Sequence, residues 1–243
     1  LTWNKKFAAH NLSAMVVYEQ LSNNSDLISA SRTGYQFNID YLFAGPVLNK
    51  TNDGSASEGG RRGIISRINY DYKGKYLVEL SARNDASPKF PKETRWGFFP
   101  SASVGWRVSE EKFMKDKLSF ITDLKLRGSY GKLGYDNTGN FQYLSTYSVA
   151  SQYIFDGTTN VLSSGIRANA IANLQITWEK MTIKDIGLDF TLGQHLSGTF
   201  DYFYRLRSDV LGSRIQSIPN TVGAQLPQVN YAKYDNRGWE FSL

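Results

Sequence analysis

Cysteine is absent from the 243 residues, which removes disulfides and thiolate metal sites from consideration. Histidine is nearly absent: His10 and His195 both fall beside short turn sequences, where a surface imidazole is the ordinary reading. No HExxH, GxSxG or phosphate-loop pattern occurs, so the metal, nucleophile and nucleotide motifs of common enzymes have no residues to work with. Glu110 and Glu111 are adjacent rather than facing, and charges at the start of a helix explain them better than a carboxylate pair. No run approaches the roughly 18 apolar residues that a spanning helix requires. Clustered basic charge is scarce as well. Lys and Arg number 28 against 22 acids, a net charge of +6, and they are dispersed. The one dense spot, Gly59-Gly60-Arg61-Arg62-Gly63, lacks interleaved aromatics and any nucleic-acid-binding motif, which argues against a nucleic-acid partner.

What is present is alternation. Tyr76, Val78, Leu80 and Ala82 share one face, with Glu79, Ser81 and Arg83 on the other. Ala102, Val104, Trp106 and Val108 oppose Ser101, Ser103 and Arg107. Leu124, Leu126 and Tyr130 oppose Lys125, Arg127 and Ser129. Ile186, Leu188, Phe190 and Leu192 oppose Asp185, Asp189 and Thr191. A period of two assigns each residue to a sheet face. Strands of about 9–11 residues can cross a membrane with only half of their side chains apolar. The aromatic fraction of 14% and the 21 glycines suit such a sheet. One apolar face also fits a soluble glycan-binding β-sandwich, in which the Ile186–Leu192 row would lie in a core.

The pattern predicts strands near 1–7, 11–20, 62–72, 75–85, 97–108, 122–132, 177–192, 196–207 and 235–243. Short links at Ala8-Ala9-His10, Lys73-Gly74-Lys75 and Gly193-Gln194-His195 alternate with long links at 21–61, 86–96, 133–176 and 208–234. A helix is expected in 109–121, capped by Ser109, with Glu110 and Glu111 in its first turn and Phe113, Met114, Leu118 and Phe120 on its apolar side. Consecutive antiparallel strands put every second link at the same end. The short links therefore share one rim and the long ones the other, as in outer-membrane barrels with short periplasmic turns and long extracellular loops. Nine strands is an odd count, and both chain ends fall in strand rhythm, so a fragment of a larger barrel is expected.

Several runs then resemble SusC/RagA-type TonB-dependent outer-membrane transporters, in the family's order. They are Phe99-Pro100-Ser101 with Gly105-Trp106-Arg107, and Arg127-Gly128-Ser129-Tyr130-Gly131 with Leu133-Gly134. Asn173-Leu174 with Thr177-Trp178-Glu179-Lys180 follows, then Ile186-Gly187-Leu188-Asp189-Phe190. Asp201-Tyr202-Phe203-Tyr204 with Asp209-Val210-Leu211, and Asn236-Arg237-Gly238-Trp239-Glu240-Phe241, complete the series. The resemblance implies an all-β, antiparallel transmembrane barrel, with residues 1–243 a partial arc of a 22-stranded wall. The plug, the N-terminal extension and the last strands would lie outside it. It further implies an importer of oligosaccharides or, as in the RagA type, of peptides. A SusD-like surface lipoprotein would lid it and the TonB complex would energise it through the plug. A passive porin would differ in lacking that plug.

Facing and loop placement nominate residues. The inward charges Lys125, Arg127, Asp185, Asp189 and Arg205 are candidates to meet a plug. Tyr35, Tyr41, Phe43, Tyr135, Asn137, Phe141 and Tyr143 are candidates to meet ligand from the long loops, since a sugar ring stacks on aromatics and bonds to nearby amides. Trp96, Phe98 and Phe99 are expected in the outer aromatic belt. No cofactor is expected. Asn49–Gly54 and Asp136–Asn140 resemble partial calcium loops, without the closing bidentate glutamate.

Overall fold

The computed structural model describes residues 1–118, 120–154, 162–193, 195–213 and 225–243. Nine strands form one antiparallel sheet. They are β1 (Thr2–Phe7), β2 (His10–Arg32), β3 (Lys50–Tyr72), β4 (Tyr76–Ala86), β5 (Trp96–Arg107), β6 (Ile121–Tyr135), β9 (Glu179–Leu192), β10 (Leu196–Ser213) and β11 (Gln228–Ser242). Sheet order follows chain order, except that a separate hairpin is inserted between β6 and β9. That hairpin is β7 (Tyr147–Ile154) with β8 (Leu162–Ala168). A right-through antiparallel meander of this kind needs only hairpin links, which is what the alternating links supply.

Register carries each apolar row across the sheet. Ile68 pairs with Leu80, Leu80 with Ala102 and Ala102 with Tyr130. Nearer the short turns, Trp106 pairs with Leu126, Leu126 with Leu188, Leu188 with Phe200 and Phe200 with Phe241. The row is not packed against anything. Ile186 is 67% exposed, Val104 57% and Phe241 56%. In a soluble sandwich these side chains would be the core, because about 25 cal/mol per Å² of apolar surface favours covering them. Their exposure overturns the sandwich alternative and matches a wall with an apolar outer face.

The chain forms two compact units, one of residues 1–19 with 62–243 and one of residues 20–61. The second unit corrects the expected 21–61 loop. It is mostly strand, and only 33–49 is irregular, with 3₁₀ turns at Leu42–Ala44 and Val47–Asn49. Ser31 and Thr51 join hydroxyls at 2.6 Å, and the Thr33 amide donates to the Asn49 carbonyl. Ladder bonds hold this ribbon although both faces are polar, so no alternation announces it.

Other departures are local. The β5–β6 link holds a 3₁₀ turn (Val108–Glu110) and a six-residue helix α1 (Lys112–Lys117), shorter than expected. Ser109 does not cap it: its hydroxyl is buried and donates to Asp123 Oδ1 at 3.1 Å. Val108 is buried rather than on the outer row. β10 and β11 run beyond expectation, with a register shift between Arg207 and Val210 and a left-handed Asp209 (φ 56). Gln194 and Ser119 lie outside the described residues, as do parts of the loops expected in 133–176 and 208–234.

Candidate functional site: the polar face and the base of the long loops

The polar rows line a hollow of about 770 Å³ in the larger unit, bordered by Asn69, Glu79, Ser103, Lys125, Arg127 and Asp185 among others. Arg127 stands at its β6–β9 edge. Arg127 pairs across the sheet with Gly187, and Gly187 with Asp201. The guanidinium passes over Gly187, where a Cβ would stand 2.5 Å from Arg127 Cζ and from Asp201 Oδ1. The absent side chain is what lets three carboxylates converge. Arg127 Nε donates to Asp189 Oδ1 at 3.0 Å, Nη1 to Asp185 Oδ1 at 3.4 Å and Nη2 to Asp201 Oδ2 at 2.7 Å. Charge-assisted bonds from a planar fork fix geometry as well as energy.

The inward charges therefore divide. Arg127 is the shared partner of Asp185 and Asp189, and of Asp201, which the strand pattern did not nominate. Arg205 stacks on Phe203 with its Cζ 4.3 Å from the ring centroid. The Lys125 stem passes close to Gly105, where a Cβ would stand 3.3 Å from Lys125 Cε.

At the long-loop end sits the core cluster of buried hydrophobics: Phe90, Phe99, Ile176 and Trp178, with Tyr143 and Leu211 against it. Phe99, expected on the outer belt, is 6% exposed and seats its ring against Gly97 and Gly134. Trp96 and Phe98 are exposed, as the belt requires. Trp178 Nε1 donates to the Arg95 carbonyl at 3.0 Å, and Thr94 Oγ1 to that of Ile176 at 2.7 Å. Asn230 acts as a side-chain strand: it accepts from the Thr177 amide and donates to the Thr177 and Asp209 carbonyls. Glu179 binds Arg207 Nη2 at 2.6 Å and the Leu211 amide at 2.9 Å. The β4–β5 and β6–β9 links and the long-loop ends of β10 and β11 are thus tied at one base. None of these ties has a period, so strand reading does not find them.

The ligand candidates fall into two groups. In the smaller unit, Tyr35 donates its hydroxyl to the carbonyls of Tyr41 and Leu42, while Tyr41 and Phe43 stack at 5.5 Å and remain exposed. A hollow of about 300 Å³ lies beside Tyr35, Phe37 and Pro46. In the larger unit, Tyr135 lies under Arg207 (4.8 Å), and Asn137 is exposed. Phe141 meets Tyr143 edge-on at 6.2 Å, and Tyr143 donates to the Pro88 carbonyl. Tyr143 is thus a packing residue, whereas Tyr41, Phe43 and Phe141 are open. The Asn49–Gly54 segment runs from a 3₁₀ turn into β3, and among the described residues no three acidic or histidine side chains gather around a cation position.

At the opposite rim, Glu111 fastens the β5–β6 link to its neighbours. It accepts from Tyr76 (2.7 Å), Lys75 (3.1 Å) and Trp106 (3.3 Å). These donors, Tyr76 first, hold its carboxyl below the ordinary carboxylate range. His10 accepts or donates at Nδ1 with Tyr70 at 2.7 Å and stacks on Phe7, an aromatic rim rather than a metal site.

A single meander with an apolar outer face, a charged inner face and loop lengths sorted by end is an arc of transmembrane barrel wall. The chain belongs to the TonB dependent receptor-like β-barrel family, whose sequence profile matches residues 3–243. Within it the kinship is of the SusC/RagA type. TonB-dependent receptor SusC of Bacteroides thetaiotaomicron is 37% identical over 74% of this chain, and TonB-dependent receptor P3 of Formosa agariphila is 30% identical over all of it. The RagAB peptide importer in its open-open state superposes with a TM-score of 0.84 over 99% of the chain at 24% identity. The chain spans about a quarter or less of these relatives' length: 24% of P3, 18% of SusC and 26% of the RagAB chain. The family consists of outer-membrane receptors and transporters of Gram-negative bacteria, not of enzymes.

Proposed function

We propose that residues 1–243 are one partial barrel domain in the wall of a TonB-dependent outer-membrane importer of oligosaccharides. Its outer rows meet lipid and its inner face meets a plug through which the TonB complex acts. Its long loops meet a SusD-like surface lipoprotein and the cargo. The observation that carries the reading is the unbroken outward apolar row over a charged inner face. Of the inward charges, Lys125 and Arg205 have no ion pair among the described residues, and they are the cations left for plug carboxylates. Exposed aromatics at Tyr41, Phe43 and Phe141 support a cargo with flat apolar faces and hydroxyls. No cofactor is required.

The test is expression of the full-length transporter with its neighbouring surface lipoprotein, co-purification in detergent, and mass spectrometry of the bound cargo. Bound oligosaccharide with a co-purifying lipoprotein is the expected result. Bound peptide would move the assignment to the RagA type. Release of the transporter into buffer without detergent would end the membrane reading.

A further inference from the structure

The outward face ends, at its long-loop side, in cations rather than in neutral residues. Register sets Tyr130, Lys184, Tyr204 and Arg237 in one row across β6, β9, β10 and β11, on the same face as Ile186, Tyr202 and Trp239. The next row outward begins with Lys132, paired with Thr182, and ends with Asp235, paired with Leu206. Lys132, Lys184 and Arg237 are exposed. None of the three makes an ion pair or hydrogen bond within the described residues. The neighbouring Lys180 differs, since it pairs with Asp209 at 2.9 Å.

Level matters here. Eight residues separate Leu192, at the short-turn end of β9, from Lys184. At ~3.3 Å per residue and a barrel tilt of about 40°, that is roughly 20 Å of height, close to the apolar band of about 25 Å. Lys184 and Arg237 are two strand spacings apart, ~10 Å, and Lys132 is a diagonal neighbour of Lys184 at about 7–8 Å. Long cationic side chains can converge over such distances on one anionic group. Tyr130 and Tyr204, in the same row, are amphipathic rings suited to the headgroup level. Three cations against the single carboxylate of Asp235 leave the patch positive.

We propose that Lys132, Lys184 and Arg237 form a binding site on the outer wall for the phosphate-bearing headgroup of an outer-leaflet lipid. The acyl chains of that lipid lie along Ile186, Tyr202 and Trp239. This rests on the reading that the outward row faces lipid. The source is a lipid and not free phosphate, because the cations continue an apolar surface and form no enclosed pocket.

The test uses the full-length transporter in phosphatidylcholine nanodiscs, with and without a monophosphorylated diglucosamine lipid, and counts bound lipid by native mass spectrometry. Wild type should retain the phosphorylated lipid, and the K132Q/K184Q/R237Q variant should bind it about tenfold more weakly or worse. The Lys112→Gln variant, altered on α1 at the opposite rim, should bind as wild type. Equal retention by the triple variant would overturn the site, as would displacement by millimolar inorganic phosphate. A spin label at Ile186→Cys separates this failure from that of the underlying reading. Collision with oxygen rather than with an aqueous nickel chelate confirms the lipid-facing row, and the reverse refutes it.

Discussion

Gly187 shows how much one missing side chain decides. Arg127 reaches three carboxylates only because nothing stands on the backbone beneath its guanidinium. Gly187→Ala should force the guanidinium off Asp185 and Asp201 and cost about 1–3 kcal/mol, read as a lowered unfolding midpoint of the refolded barrel. Arg127→Met should cost about 2 kcal/mol or more, because three acids then face one another without a counter-charge. The expected order is Arg127→Met worse than Arg127→Lys, since a lysine restores charge but not the fork. Asp185 and Asp189 were legible from alternation, as was the inward direction of Arg127. Their mutual pairing was not, because register between β6, β9 and β10 is set by hairpin geometry that a strand's own residues do not state.

Among the elements, the base of the long loops and the β5–β6 link carry separate predictions. Trp178→Ala should open a cavity against Phe90 and Phe99 and cost about 3–5 kcal/mol locally. The check is hydrogen exchange: amides near Arg95, Thr177 and Leu211 should lose protection while those of β4 and β5 beyond the loop base keep it. Uniform loss across the sheet would show that this core supports the whole wall. The Glu111 clasp predicts a pH dependence. Its folded pKa is depressed below the usual 4.5, so its contribution is complete above that pH and is lost as the pH falls through the lower folded value. Trp106 emission should be steady from pH 7 to 5, shift below pH 4.5, and lose that transition in Glu111→Gln. The helix itself was legible as a helix, but its start was misplaced. Ser109 finds Asp123 on β6, a tertiary partner that outcompetes the local cap.

For the whole molecule, the two faces predict opposite tolerance. Leu188→Arg on the outer row should cost about 2–4 kcal/mol in folding into vesicles, as expected for a cation near the bilayer midplane. Ser103→Arg, on the inner face beside the hollow, should fold nearly as well as wild type. Equal penalties would contradict the assignment of faces. The measurement is the heat-modified shift of the refolded full-length barrel across a urea series.

The sequence by itself determined that the chain is an antiparallel sheet with one apolar and one charged face, and sorted its links by length. A period of two and turn chemistry are local properties, carried by each strand alone. It also determined which end of the sheet bears aromatic loops. Tertiary structure alone decided that 20–32 and 50–61 are strand, that Phe99 turns in to meet Trp178, and that Arg127 is paired within the wall. It alone aligned Lys132, Lys184 and Arg237 on adjoining strands. Each of these depends on contacts between residues far apart in the chain, whose register only the assembled sheet fixes.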